Sequence, residues 1–374
     1  MMATIQKKAL RGRGANFPKI TDTSESTRSD QSLAFQPASA APPLLRLLAS
    51  AAAAAMSAPG RRRLHRVLRD LGATSSCAVA AEAQSADELR FKVAHLMQKL
   101  SSRATASCWC SHVPTGATLA VNAEKPMNAL STIKIPILVV AFRDARAGAL
   151  DLDERHTIRL GDLRRGSGVL QRFAIGLAPT RRDLCYQMIA TSDNTATDLM
   201  LSAVGGPSRV NAVMRELGLS QTQVHKPTGQ LFQRMWELVD PAWAERSDAE
   251  VFAAGLPGPD ELSTERRFAF EGDPAEWLSS TTARELGTLV QMISEADPAL
   301  GCSEEQCEEM LDMMRAQMYN YRVTRRLTGA AGGEVDAAHK TGDFAPFAAN
   351  DVALLEHAGG APKFRRIMQS NSPP

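Results

Sequence analysis

The sequence predicts an α/β (α+β) protein in which an early and a late group of strands are separated by a long helical block. Three observations carry this. Two short strand-like runs, Ala104 to His112 and Thr118 to Val121, flank the turn Pro114-Thr115-Gly116 and read as a β-hairpin. Apolar residues then recur at helical spacing from Ser131 onward, through Arg181 to Val204 and Ser208 to Leu217, and again over Thr282 to Ile293 and Glu304 to Met318. Strands return near the end, at Ala337 to Lys340 and Asp351 to His357. A sheet fed from both sides of a helical block implies an α/β layer with an all-helical insertion, at about residues 142–280.

The chain before the hairpin divides in two. Residues 1–40 mix Ser, Thr, Arg, Gln and Pro with few large apolar side chains. Such a segment buries too little surface to offset its ordering entropy and reads as disordered. No acidic residue occurs from Gln31 to Arg69. The apolar run Leu44 to Leu48 and the alanines Ala51 to Ala55 are too short and Ala-rich for a membrane span. They also begin too far from residue 1 for an ordinary export signal. Three readings stay open: an organelle transit peptide, an unprocessed extension, or a start at Met56. Leu64, Val67, Leu68 and Leu71 form one face of a short basic helix, suited to a membrane surface or to plain solvent. A helical pattern from Asp87 to Leu100 follows. Residues 1–83 are therefore assigned to a disordered or targeting extension, 84–368 to one domain, and 369–374 to a tail.

Composition narrows the function classes. A net charge of +2 over 374 residues gives no field for nucleic acid. Cys77, Cys108, Cys110, Cys185, Cys302 and Cys307 include no C-x-x-C pair, so neither a zinc site nor a disulfide framework is indicated. Cys108 and Cys110 would share one face of a strand, as small buried hydrophobes. His156, His225 and His357 are isolated, which suits surface or core roles better than metal binding. Tyr319 and Tyr321 read as packing residues of a Met-rich helix.

Three short motifs carry chemistry. Ser131-Thr132-Ile133-Lys134 is an S-x-x-K tetrad entering an apolar helix. Residues three apart share a helix face, so an amine lies beside a hydroxyl that needs a base. Ser192-Asp193-Asn194 interrupts a helical stretch with cap-forming residues and would present a hydroxyl and an amide to a cleft. Lys340-Thr341-Gly342 follows a strand; its Lys and Thr suit a carboxylate, and its Gly permits close backbone approach. Each motif alone also reads as a helix cap or a turn. In this order and spacing they form a known signature of penicillin-recognising serine enzymes.

With these residues the sequence resembles the class A serine β-lactamase family. The likeness extends over Leu177 to Cys185, Ser192 to Leu199, Gly205-Gly206 and Asn211 to Gly218, and over Thr281 to Leu286, which looks like the helix start after the family's omega loop. It covers about residues 85–365. It implies a β-lactamase/transpeptidase-like fold: a five-stranded antiparallel sheet with flanking helices against an all-helical lobe, with the site between them. It further implies Ser131 as acylated nucleophile, Lys134 as base for acylation, and Ser192 as proton relay to the leaving nitrogen. Asn194 would contact the substrate side chain, and Lys340, Thr341 and Gly342 would hold its carboxylate. The backbone N–H groups of Ser131 and Asp343 would form the oxyanion hole. The implied activity is β-lactam hydrolysis and antibiotic inactivation, with no cofactor or metal, a small-molecule partner, a monomer, and an extracytoplasmic location unless the extension targets an organelle.

Two departures stand out. The family's Glu-x-x-x-Asn, which activates the deacylating water, is not found, and the region from Gly218 to Thr281 is longer than the family norm. Glu265 is the leading substitute, with Glu271 and Glu237 behind it. Without such a base the acyl-enzyme would persist, as in a D-alanyl peptidase or a slow esterase. The family's final helix also has no counterpart after residue 374, with Asp351 to His357 and Lys363 to Met368 as the last two strands. That predicts lowered stability, and leaves a non-catalytic relic or binding protein as a third reading.

Overall fold

The computed structural model describes residues 2–7, 91–92, 95, 104–114, 116–326, 335–344 and 347–357. Five strands form one sheet: β1 Met2–Lys7, β2 Ala104–His112, β3 Ala117–Val121, β7 Val335–Phe344 and β8 Ala348–His357, in the order β3-β2-β1-β8-β7. Every neighbouring pair is antiparallel. The α+β class and the hairpin of early strands appear as the sequence implies. The central strand does not. Met2–Lys7, drawn from the segment read as an extension, pairs with β2 through Met2↔Trp109 and with β8 through Met2↔Val352. The anticipated strand Lys363 to Met368 lies outside the described residues. So do the basic amphipathic helix, Cys77, the tail 369–374 and most of the Asp87–Leu100 helix, of which Phe91, Lys92 and His95 are helical.

A second, three-stranded sheet joins β4 Met127–Asn128, β6 Ser279–Thr281 and β5 Gln223–Val224. It delivers the chain to helix α1, Lys134–Arg146. Ten residues of α1 are buried, on all sides of the helix, as an apolar helix at the centre of a protein must be. Pro136 sits in its first turn, where a missing N–H costs nothing. Around it pack α2 Arg181–Ala190, α3 Asn194–Ala203, α4 Gly206–Glu216, and, later in the chain, Ala283–Ser294 and Glu304–Arg315.

The stretch from Gly218 to Thr281, in which the sequence reading placed no individual helix, carries three: α5 Thr228–Glu237, α6 Asp248–Ala254 and α7 Thr264–Gly272. Phe232, Met235, Trp236, Val251, Leu262 and Phe270 give it a separate small core. Ser247 and Glu250 close a capping box on α6. Asp198 of α3 accepts hydrogen bonds from the N–H groups of Thr228 and Gly229 at the start of α5, and Arg164 bridges Asp198 to Asp248. A carboxylate at a helix N-terminus is favoured by the exposed N–H groups there. The two helices after this unit are α8 Ala283–Ser294 and α9 Glu304–Arg315. Because α9 ends at Arg315, Tyr319 and Tyr321 are not helical packing residues; they form an edge-on pair, with ring centroids 6.1 Å apart, beside β7.

Candidate active site

Ser131 lies on a 3₁₀ turn, Leu130–Ile133, that runs directly into α1. The preceding Leu130 is left-handed, at φ 51°. A bulky residue is rarely held there, and such strain persists only when its surroundings enforce it. Ser131 itself is half-buried.

Lys134 is fully enclosed at 1% exposure. Its Nζ donates to Ser192 O at 2.6 Å, to Ser192 Oγ at 3.0 Å and to Asn194 Oδ1 at 3.0 Å. Loss of hydration outweighs the pull of Asp193 and Asp198, and pushes its pKa down to about 7. The first and second motifs therefore meet through this amine.

The Ser-Asp-Asn turn is moulded by the loop before it. Ser192 is left-handed, at φ 55°. Asp193 caps α3 by accepting from Ala196 N at 3.0 Å, and accepts from Leu170 N at 2.8 Å. Ser167 Oγ donates to Ser192 O at 2.7 Å, and Asn194 Nδ2 donates to Arg165 O at 2.9 Å. Asn194 is thus engaged with Lys134 and Arg165 and only 8% exposed, more a partner of the amine than an open contact for substrate. Gly168, at φ 105°, has no room for a side chain: a Cβ there would fall 2.3 Å from Asp193 Cα.

The third motif closes on the first. A Cβ on Gly342 would meet Ser131 N at 3.1 Å and Leu130 Cβ at 3.0 Å, so β7 lies in backbone contact with the serine turn. Lys340 is buried, and its Nζ donates to Thr341 O at 2.9 Å. Burial holds its pKa well below the ordinary lysine value; the charge of Lys134 lowers it further and Asp351 opposes. Around this edge are groups that sequence reasoning passed over. Arg322 donates to Gly342 O and pairs with Asp343, whose carboxylate also accepts from Tyr321 Oη at 2.9 Å. His339, 1% exposed, sits with Nδ1 3.1 Å from Asp351 Oδ1 and Nε2 2.8 Å from Asn320 Oδ1. The available signal was a histidine placed directly before Lys340.

The three candidate acids lie in different surroundings. Glu265 is exposed in the first turn of α7, and Glu237 pairs with Arg234. Glu271, at the end of the same helix and 4% exposed, is the acid that reaches the serine segment: both its oxygens accept from Asn128 Nδ2, at 3.0 and 3.1 Å. Six residues along a helix turn a side chain roughly 120° away from the starting face, so Glu265 and Glu271 look in different directions. Of the isolated histidines, His156 pairs with Asp162 and His225 lies 3.1 Å from Ser280 Oγ; the side chain of His357 is outside the description. The five described cysteines are free. No group of three His, Cys, Asp or Glu suited to a metal occurs among the described residues.

The amine of Lys134, near neutrality, touches the hydroxyl of Ser192, and the glycine edge that follows the buried Lys340 abuts the backbone of Ser131, three residues before that amine on the same turn. That is equipment for acyl transfer. Comparison with known proteins agrees. The model of the Beta-lactamase enzyme family matches residues 88–372. Beta-lactamase PSE-4 of Pseudomonas aeruginosa is 34% identical over 96 residues, 26% of this chain and 33% of that protein. Beta-lactamase L2 of Stenotrophomonas maltophilia is 40% identical over 88 residues, 24% of this chain and 29% of that protein. A beta-lactamase of Rhodobacter capsulatus is 29% identical over 223 residues, 58% of this chain and 71% of that protein. The match to the first curated relatives spans about a third of their length. Among solved structures, a variant of the class A beta-lactamase of the last common ancestor of Gram-negative bacteria superposes with TM-score 0.55 at 21% identity, over 74% of this chain and 86% of that one. A mutant of PBP-A, an acyl-enzyme complex with penicillin G, gives 0.52 at 22% identity, over 74% and 90%. At those identities the likeness is one of fold.

Proposed function

The chain belongs to the beta-lactamase enzyme family, and from that premise we propose that it hydrolyses β-lactam amides through an acyl-serine on Ser131. One observation carries the reading: Lys134 Nζ lies 3.0 Å from Ser192 Oγ while the Gly342 backbone abuts Ser131 N.

In this reading Lys134 takes the Ser131 proton. An amine with a pKa of about 7 is about half deprotonated at neutral pH and so able to accept it, where an ordinary lysine is not. Ser131 Oγ attacks the lactam carbonyl. The charge on the carbonyl oxygen is met by the backbone N–H groups of Ser131 and Asp343, each such donor contributing about 3 kcal/mol to lowering the barrier. Ser192, in contact with Lys134, returns the proton to the departing lactam nitrogen. Lys340, Thr341 and Gly342 receive the substrate carboxylate; a cation removed from water gains more from an anion than an exposed one does. Asn194 keeps the Lys134 amine in place. Water then releases the acyl group.

No helix among the described residues is long and apolar enough to cross a membrane. A small-molecule partner, a monomer and an extracytoplasmic location follow from family membership as part of the proposal.

The test is hydrolysis of a chromogenic cephalosporin by the full chain and by Ser131→Ala. The expected result is turnover by the former and background by the latter, with an acyl adduct visible by intact mass only when Ser131 is present. Equal background from both would end the proposal.

A further inference from the structure

We propose that Glu271 is a positioning residue for the nucleophile: through the side-chain amide of Asn128 it holds the strained turn at Leu130 from which Ser131 is presented. This rests on the acyl-serine reading above.

Glu271 and Asn128 are each 4% exposed. Asn128 Nδ2 lies 3.0 and 3.1 Å from the two carboxylate oxygens, and Asn128 Oδ1 accepts from Leu130 N at 3.1 Å. These contacts settle which way the amide points. A carboxylate only accepts and a backbone N–H only donates. A reversed amide would set oxygen against oxygen on one side and N–H against N–H on the other. Glu271 therefore dictates that the Asn128 oxygen, and not its nitrogen, faces Leu130.

That N–H belongs to the left-handed residue immediately before the nucleophile. Such a conformation needs enforcement. The backbone of the turn has a separate restraint: Asn350 Nδ2 of β8 donates to the carbonyls of Asn128 and Ala129, at 2.8 and 2.9 Å. The side-chain restraint comes from α7. Its end is fixed by Phe270 in the small core and by Trp277 Nε1, which donates to Glu271 O at 2.7 Å. The peptide after Leu130 carries the Ser131 N–H, so a relaxed Leu130 would turn that donor, and the hydroxyl beyond it, away from the bound carbonyl. Glu271 thereby links the end of α7 to the serine turn, beside the backbone pairing of Met127–Asn128 with Ser280–Thr281 and the hydrogen bond from Ala129 N to Ser279 O.

The experiment uses the full chain as wild type, Glu271→Gln, Asn128→Ala and the double variant. Acylation by benzylpenicillin is followed by rapid quench and intact mass, turnover by a chromogenic cephalosporin, and folding by circular dichroism and thermal melting. Each single variant is expected to slow acylation at saturating substrate at least tenfold, with the half-saturating concentration changed less than threefold. The double variant is expected to be no slower than the slower single, because both act through one link. Should Glu271→Gln melt below the assay temperature, Glu271→Asp, which keeps the charge and draws the carboxylate back by one carbon, carries the same test. Acylation at the wild-type rate followed by a persisting adduct would assign Glu271 to deacylation and overturn the proposal. So would effects that multiply in the double variant. A wild-type chain that takes up no adduct overturns the acyl-serine reading, and this inference with it.

Discussion

The Ser192–Asn194 turn and the α5–α7 unit both reach the nucleophile's segment, the first through Lys134 and the second through Asn128, and they are held by opposite means. The turn is a closed polar network. Each of its three residues is bonded to the loop 165–170, to α3 or to Lys134, and its backbone is strained. The α5–α7 unit is a small apolar core with ionic ties at its rim. A polar network of this kind specifies one geometry and tolerates no intrusion. An apolar core tolerates exchange, and loses stability in proportion to what is removed.

The sharpest way to break that contrast is Gly168→Ala. The added Cβ overlaps Asp193 and occupies a left-handed backbone position, so a loss of about 4 kcal/mol is expected from overpacking and strain together. Thermal melting reads it, and acylation should fall at least a hundredfold in whatever still folds. A near-neutral result would mean that the mould is soft. Phe232→Ala in the second core comes next, with a loss of about 3 kcal/mol seen by denaturant melting and a smaller change in acylation rate. A rate loss exceeding the stability loss would show the two regions to be one unit.

Titration separates the regions more gently. Lys134 must be neutral to act as base and its pKa lies at about 7, so the acylation rate should rise through neutrality. Between pH 7 and pH 5 it should fall about fiftyfold, as the protonated fraction grows from about half to nearly all. Stopped-flow acylation across that range checks it, and a flat profile would remove Lys134 from the role. The smallest effect is expected at Arg246→Ala, which deletes an exposed pair with Glu250; stability should move by less than about 0.5 kcal/mol.

The three motifs were legible because each needs particular letters at particular spacing, and the structure draws Ser131, Lys134, Ser192 and Gly342 together. The helices between Gly218 and Thr281 were legible too, and were missed: Phe232, Met235 and Trp236 recur at helical spacing, and Ser247-Asp248-Ala249-Glu250 is a capping box in plain sight. Choosing among Glu265, Glu271 and Glu237 was beyond the letters. Only the rotation of α7 turns Glu271 inward and leaves Glu265 in solvent. The place of Met2–Lys7 in the sheet was equally hidden, since its partners lie about a hundred and about three hundred and fifty residues away and leave no local trace.

Lys134 and Lys340 are both enclosed, and the charge of Lys134 adds to burial in lowering the proton affinity of Lys340. An anion seated between β7 and the serine turn would repay Lys340 for its lost water and draw its proton affinity back up. To whatever extent that amine stands deprotonated in the free protein, capture of a carboxylate consumes a proton from the surrounding buffer. Affinity for anionic ligands should then weaken as the medium becomes more alkaline, and the heat of association should depend on which buffer gives up the proton.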